Sequence, residues 1–324
     1  MKSDIMVSIN CITYNHEKFI EQTLKSFLNQ KTNFKFEILI HDDASTDNTQ
    51  NIIKKYSEKY PNIIKPILQK ENQYSKGTKR IGYLFNTKRA NGKYIAFCEG
   101  DDYWNDDLKL QKQVDIMENN KDISMCFHSA IIKDESNGSE REEKAYNKSC
   151  FSNIRDIILN GGGFCPTASL MYRNDLLEDF PEFYLNAHVG DYPLQMILAS
   201  LGKVYYINEP MCVYRTKVKG SWSSRAFSKD NIFEKIIKNN KNDIKLLNNF
   251  NEFTNKKFND FINEKIKRCK FNIYSINGDI KSIKDEDYKV LFSELSFKEK
   301  LKIYLRNISP KLYIKLYNIK NNYY

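Results

Sequence analysis

The sequence has no Gly-x-Gly-x-x-Gly after a strand and no Gly-Lys-Ser/Thr loop. A dinucleotide-binding fold and a P-loop nucleotidase are therefore not expected. No Cys-x-x-Cys occurs, and the seven cysteines are scattered and odd in number. That pattern argues against a disulfide framework and for reduced thiols in core positions of an intracellular protein. The four histidines lie far apart, without zinc-ligand spacing. No apolar run approaches the roughly 18 residues of a membrane span. Ile5–Ile9, directly after Met1-Lys2-Ser3-Asp4, is too short for a secretory leader and has no cleavage site. With 12 Gly and 7 Pro in 324 residues, a collagenous or low-complexity chain is excluded. What remains is a soluble, cytoplasmic protein long enough for one large domain or a domain with an appendage.

Charge divides the chain. Residues 1–215 carry 27 Lys+Arg against 29 Asp+Glu, and residues 216–324 carry 24 against 12. We therefore expect a neutral globular domain over 1–215 and a basic, mainly helical region over 216–324. Residues 295–320 mix Leu, Ile, Tyr and Phe with lysines, broken by Pro310. Such a pattern fits attachment at the inner face of a membrane, or helices packed on the globular domain with solvated lysines. Nucleic acid is not expected, because Arg is scarce and no binding motif occurs.

Hydrophobic period separates strands from helices. Val7–Ile12, Phe36–Ile40, Ile63–Leu68 and Lys93–Cys98 read as strands; Glu17–Gln30, Asp47–Tyr60 and Arg80–Arg89 read as helices. This β-α-β-α order predicts an α/β fold with a mostly parallel twisted sheet flanked by helices. Beyond it we expect helices over Asp106–Asn119 and Gly190–Leu201. Strands are expected over Ile123–Ile132, Ala168–Tyr172, Val204–Ile207 and Met211–Tyr214, with a polar loop over Asp134–Lys148.

In an open parallel sheet, ligands bind beyond the carboxyl ends of the strands. Three strand ends carry polar clusters: Thr13-Tyr14-Asn15-His16-Glu17, His41-Asp42-Asp43-Ala44-Ser45 and Glu99-Gly100-Asp101-Asp102. The aspartates of the second cluster fit helix capping as well as ligand binding, although Ser45, Thr46 and Asp47, with Gln50, already supply a box-like cap. Three carboxylates in four residues repel one another unless a cation or donors compensate, and hard divalent cations take such oxygens together with substrate phosphates. Gly100 would let a bulky ligand approach the backbone, and a solvated acidic turn is the plainer reading. His128 reads as a residue at the edge of the core.

The segments Val7-Ser8-Ile9-Asn10-Cys11-Ile12-Thr13-Tyr14-Asn15, Asp42-Asp43-Ala44-Ser45-Thr46-Asp47-Asn48-Thr49 and Gly92-Lys93-Tyr94-Ile95, the last running into Glu99-Gly100-Asp101-Asp102-Tyr103-Trp104, resemble family 2 glycosyltransferases of GT-A fold over roughly residues 5–215. The resemblance implies a metal-dependent, inverting hexosyl- or N-acetylhexosaminyl-transferase. It would use Mn²⁺ or Mg²⁺ and a nucleotide sugar, a UDP-sugar first, on a glycan or lipid-linked acceptor in cell-surface polysaccharide synthesis. It places Tyr14 and Asp43, with Thr13 and Glu17, at the nucleoside. Asp101 would be the metal ligand and Asp102 close to the donor sugar. Asp191, in Gly190-Asp191-Tyr192-Pro193, would be the base, its plain alternative being helix capping. Glu99, where relatives often have Asp, and Ile12, where Pro often stands, depart from the pattern. Arg215, with Lys217 and Lys219 near Gly220-Ser221-Trp222, would close over the phosphates or form a solvated loop. Gly161–Gly163 with Phe164 and Thr167 would line the acceptor entrance or form a plain turn. A nucleotidyltransferase and a non-catalytic sugar-nucleotide-binding module are the competing classes.

Overall fold

Alternation along β1 (Ile5–Thr13) buries Val7, Ile9 and Cys11 completely, and the two-residue period sends them to one face of the sheet. Ile20, Leu24 and Phe27 of α1 (Ile20–Leu28) pack there, in one core with Ile38, Ile40, Tyr94, Ala96 and Cys98. Each large side chain so buried contributes about 1.5–3 kcal/mol; a charge at Ile9 would break this layer. The computed structural model describes residues 4–177, 179–218, 232–309 and 313. They fall in two compact units, Met1–Arg225 and Ala226–Tyr324.

In the first unit, β2 (Lys35–Asp42), α2 (Thr49–Lys59), β3 (Ile64–Leu68) and β4 (Tyr94–Phe97) complete the alternation. After β5 (Tyr103–Trp104) and α3 (Lys109–Asn119) come the long β6 (Ile123–Asp134), then β7 (Glu140–Glu143), β8 (Cys150–Ser152) and α4 (Ile154–Asn160). β9 (Met171–Arg173), α5 (Glu182–Asn186), α6 (Asp191–Leu201) and β10 (Lys203–Thr216) follow. The sheet runs β3-β2-β1-β4-β9-β6-β10-β5, with β7 on β6 and β8 on β10. β1 is parallel to β2 and β4, β2 to β3, and β6 to β10, whereas β9 is antiparallel to both its neighbours. The expected mostly parallel α/β sheet is present.

Three expectations need correction. Residues 80–89 are not a regular helix: 82–86 form a widened turn and 87–89 a tight one. Asn10 Nδ2 donates to the Gly82 carbonyl and to Thr87 Oγ1, both at 3.0 Å, and Asn86 Nδ2 donates to Asn10 Oδ1 and the Cys11 carbonyl, both at 3.0 Å. The backbone still bonds to itself there, the Thr87 N–H reaching the Gly82 and Tyr83 carbonyls, and the two asparagines tie the turn to β1. The two short strands expected over 204–214 are one strand, β10, whose register on β6 slips between Ile207 and Cys212, around Pro210, which has no N–H to give. The loop after Asp134 contains β7, which returns along β6 as a hairpin.

In the second unit the described elements are helical: α7 (Ile232–Phe253), α8 (Asn259–Asn277), α9 (Ile280–Ile283), α10 (Lys289–Glu294) and α11 (Phe297–Ile308), with one tight turn at Glu286–Tyr288. α8 stops at Gly278, left-handed at φ 66°, a common helix terminator. Ser296 and Glu299 form a reciprocal capping box that starts α11. Phe271, Ile283 and Ile303 centre the core of this unit.

Candidate active site

The carboxyl ends of β1, β2 and β4 converge. Asn15 turns the chain after β1 at φ 56°. Its N–H donates to Ser45 Oγ at 2.8 Å and its Oδ1 accepts the Thr46 N–H at 2.8 Å. The His16 N–H donates to Thr49 Oγ1 at 2.9 Å, and the Glu17 N–H to Asp47 Oδ2 at 3.0 Å. Glu17 Oε2 in turn accepts the Asn48 N–H at 2.9 Å. The loops after β1 and β2 are therefore latched together, and the Glu17 carboxylate serves that latch. Tyr14 is half-buried.

The two aspartates after β2 divide their work. Asp42, fully buried, accepts the Ser45 N–H at 2.9 Å, the Ser45 hydroxyl and Gln50 Nε2 at 2.6 Å. Gln50 thus ties to Asp42 rather than completing a cap with Asp47. The Asp43 carboxylate accepts the N–H groups of Gln73 at 2.8 Å and Tyr74 at 3.0 Å, holding the following loop across the strand ends.

Beyond β4, Glu99, Asp101 and Asp102 each bring a carboxylate oxygen within 4.8 Å of the others, the one such three-acid group among the described residues. The loop is fixed from several sides. Thr23 Oγ1 bonds the carbonyls of Gly100 at 3.0 Å and Asp102 at 2.6 Å. The Arg215 N–H donates to Asp102 Oδ1 at 2.9 Å. A Cβ on Gly100 would lie 2.4 Å from Thr13 Oγ1 and 3.0 Å from His16 Nδ1. What approaches the Gly100 backbone is therefore Thr13 and His16 rather than a bulky ligand. His16 also faces the acids, Nε2 to Asp101 Oδ2 at 3.7 Å. Burial, then the charges of Asp101 and Asp191, push the Glu99 carboxyl well above the usual range. Asp102 is raised by burial, then by Asp101 and Glu99, against the pull of Arg215. Carboxylates held close at such electrostatic cost, all with hard oxygen donors, fit a divalent cation.

Asp191 opens α6, and its Oδ1 accepts the Tyr192 N–H at 2.8 Å. Its carboxylate packs on Gly162, where a Cβ would meet Oδ2 at 2.7 Å. One turn on, Gln195 Nε2 donates to the carbonyls of Gly162 at 3.0 Å and Cys165 at 2.9 Å. The glycine run is thus the wall against which Asp191 rests. The Asp191 charge is near enough to add to the upward push on the Glu99 carboxyl.

Arg215 differs from its expected part. It is 4% exposed, with Nη1 donating to the Asp101 carbonyl, Nη2 to Gln22 Oε1 at 2.5 Å, and Nε paired with Glu135 at 3.0 Å. It also lies over the rings of Phe19 and Tyr103. A guanidinium so committed supports the acidic loop and is not a free cation closing over phosphates. Lys217 pairs with Asp134 at 2.6 Å; Lys219 and Gly220-Ser221-Trp222 lie outside the described residues. His128 is fully buried, its Nδ1 2.7 Å from the Ser129 carbonyl, in the core and away from this chemistry.

Sequence reasoning passed over His16 and Arg80. His16 sits inside the β1-end cluster, and that position was its signal. Arg80, read as a helix residue, has φ 54° and lies over the Tyr184 ring at 5.5 Å. It donates to the Ala187 carbonyl at 2.6 Å, and its Nη1 is 2.5 Å from where a Cβ on Gly190 would stand. Arg80 and Lys79, which donates to the Asn186 carbonyl at 2.8 Å, bind the segment leading into Asp191.

An open, mostly parallel α/β sheet flanked by helices, with a cluster of acids beyond β4, defines the class: a GT-A fold. The chain belongs to glycosyl transferase family 2, whose model matches residues 8–180. It is 35% identical over 224 residues to an uncharacterised protein of Mycobacterium tuberculosis strain H37Rv, covering 67% of this chain and 61% of that one. The chain thus spans about three-fifths of that relative's length. It is 26% identical over 235 residues to the poly(ribitol-phosphate) beta-N-acetylglucosaminyltransferase TarS of Staphylococcus aureus, covering 70% of this chain and 38% of that one. The structure of TarS residues 1–349 with UDP-GlcNAc superposes with a TM-score of 0.55 at 20% identity, covering 94% of this chain and 88% of that one. The mannosyltransferase PcManGT of Pyrobaculum calidifontis, with GDP-Man and Mn²⁺, gives a TM-score of 0.54 at 14% identity, covering 97% and 86%. These likenesses show the fold.

Proposed function

We propose that this protein is a cation-dependent, inverting glycosyltransferase that moves a sugar from a nucleotide-sugar donor to a hydroxyl of a glycan or lipid-linked acceptor, in cell-surface polysaccharide assembly. One observation carries the reading: three carboxylates within 4.8 Å of one another at the end of β4. TarS, a transferase to a polymer, and the UDP-GlcNAc and GDP-Man complexes of the two structural neighbours support it.

Asp101, with Glu99 and Asp102, would hold the Mn²⁺ or Mg²⁺. When bound, the cation supplies charge neutralisation of the departing diphosphate. Asp43 has lone pairs beyond the two N–H bonds it accepts and would take an N–H of the base, with Tyr14 stacking on the ring and Thr13 beside it. Glu17 shapes this pocket through its latch on Asn48. Asp191 is the proposed base. An acceptor oxygen attacks the anomeric carbon and the bond from that carbon to the diphosphate oxygen breaks. The hydroxyl proton passes to the Asp191 carboxylate, and the nucleoside diphosphate leaves from the opposite face.

The test is nucleotide release from UDP-, GDP-, CMP- and dTDP-sugars with Mn²⁺ or Mg²⁺, with and without EDTA. Hydrolysis of one donor, abolished by EDTA and by Asp101→Ala, is the expected result. Asp191→Asn should still bind that donor while transfer falls about 10²–10⁴-fold, as expected for loss of a general base. Absence of both turnover and cation-dependent donor binding across the panel would refute the reading.

A further inference from the structure

α11 presents a face that the described residues of the second unit leave uncovered. Phe297 is 83% exposed, Leu301 47% and Ile308 79%, while Ile303 on the opposite side is buried. At about 100° per residue these three exposed side chains fall within about 40° of one another. They form one apolar stripe turned to solvent, the reverse of what a helix packed only on its own core displays. Lys298, Lys300, Lys302 and Arg306 are the cations of the helix and Glu299 its one acid. The Glu299 carboxylate is taken up by the Ser296 N–H at 2.8 Å and the Ser296 hydroxyl at 2.6 Å. In sequence the next acid is Glu294, before the helix begins; in space Asp279, next to the Gly278 that packs on Arg306 and Asn307, adjoins the far end of the helix with its carboxylate bonded to Ser282. Among the described residues no helix is long and apolar enough to cross a membrane.

We propose that the outer face of α11 docks in the plane of a lipid surface rich in anionic headgroups. Phe297, Leu301 and Ile308 enter the acyl boundary while Lys298 and Lys302 meet the headgroups, joined by Lys300 on release of the Ser293 carbonyl it bonds at 3.2 Å. Charge complementarity selects this occupant. An apolar stripe flanked by lysines matches an interfacial helix on anionic lipid, whereas two copies laid stripe to stripe would set lysines against lysines. The inference is independent of the transferase reading, since it concerns binding alone.

The experiment uses the full chain with phosphatidylcholine vesicles, alone or with 30 mol% phosphatidylglycerol. Co-sedimentation is expected with the anionic vesicles only, weakening as salt rises. The double variant Phe297→Ser/Ile308→Ser, both positions exposed, should bind at least tenfold more weakly with unchanged circular dichroism. Phe297→Trp should give emission that shifts to the blue on adding anionic vesicles and not neutral ones. Absence of co-sedimentation overturns the proposal. So does undiminished binding by the double variant, which would mean adsorption by charge alone, or a dimer in sedimentation velocity that the double variant abolishes, which would assign the stripe to a second copy.

Discussion

Gly100 carries the tightest constraint in the acidic loop. A methyl group there would meet Thr13 Oγ1 at 2.4 Å and Thr13 Cβ at 2.6 Å, and Thr13 ends a central strand that cannot retreat. Gly100→Ala should therefore destabilise the protein by about 1–3 kcal/mol, as overpacking typically does, and should lower cation affinity by displacing Asp101. Gly163, where an added Cβ meets nothing within 4 Å, is the control: Gly163→Ala should be close to neutral. Urea unfolding of the two variants checks both statements. At this scale the sequence announces chemistry better than duty. The two aspartates after β2 look alike in Asp42-Asp43-Ala44-Ser45, yet one closes a turn and the other holds a distant loop. Only tertiary contacts with Gln50, Gln73 and Tyr74 separate them. Lys109 is a plainer case: a lysine in a polar helix reads as solvated, but it is fully buried, bonded to Gln113 Oε1 at 2.7 Å and set over the Trp104 ring. Burial brings its pKa down to about 8.

At the scale of elements, β10 does more for the site than its place near the sheet edge suggests. Its Arg215 reaches the Asp101 carbonyl, Gln22 of α1 and Glu135 beyond β6, and its N–H meets Asp102. Groups that orient metal ligands without touching the metal typically change affinity by about 10–100-fold when removed. Arg215→Gln should weaken Mn²⁺ binding by about tenfold in calorimetry. Lys217→Gln, which breaks only an exposed pair, should leave it unchanged. Equal affinity in Arg215→Gln and the native protein would mean that the loop holds its own shape. α1 was legible because burial on one face writes a helical period into the sequence, while β1 and β2, buried on both faces, read as short continuous apolar runs, and α6, buried almost all round, as a longer one. Residues 80–89 were not legible, because Arg80 takes a left-handed φ of 54° and the Asn10 side chain of β1 holds the Gly82 carbonyl, neither of which a periodic pattern records. The continuity of β10 was hidden by Pro210, whose missing N–H reads as a stop although the strand resumes its pairing on β6 beyond it.

For the whole molecule, the acidic cluster links stability to pH and to cations. Glu99 and Asp102 have pKa values raised on folding, chiefly by burial. A carboxyl raised in the folded state costs nothing below the ordinary carboxylate range near pH 4, because folded and unfolded forms are then both protonated. Above that range the unfolded chain ionises first, and the cost grows until the folded groups ionise too. The cation-free protein should therefore lose stability as pH rises from the ordinary carboxylate range through neutrality. A divalent cation should reverse that loss by binding the ionised carboxylates. At about one hundred times its dissociation constant it adds about 2.7 kcal/mol. For a unit of this size that is a rise of roughly 5–10 °C in melting temperature. The gain should be small at pH 5, where protons compete for the same oxygens, and large at pH 8. Melting curves at both pH values, with EDTA or Mn²⁺, for the native protein and Asp101→Asn decide the matter. A Mn²⁺ shift that is equal at the two pH values, or that survives in Asp101→Asn, would place the cation elsewhere on the molecule.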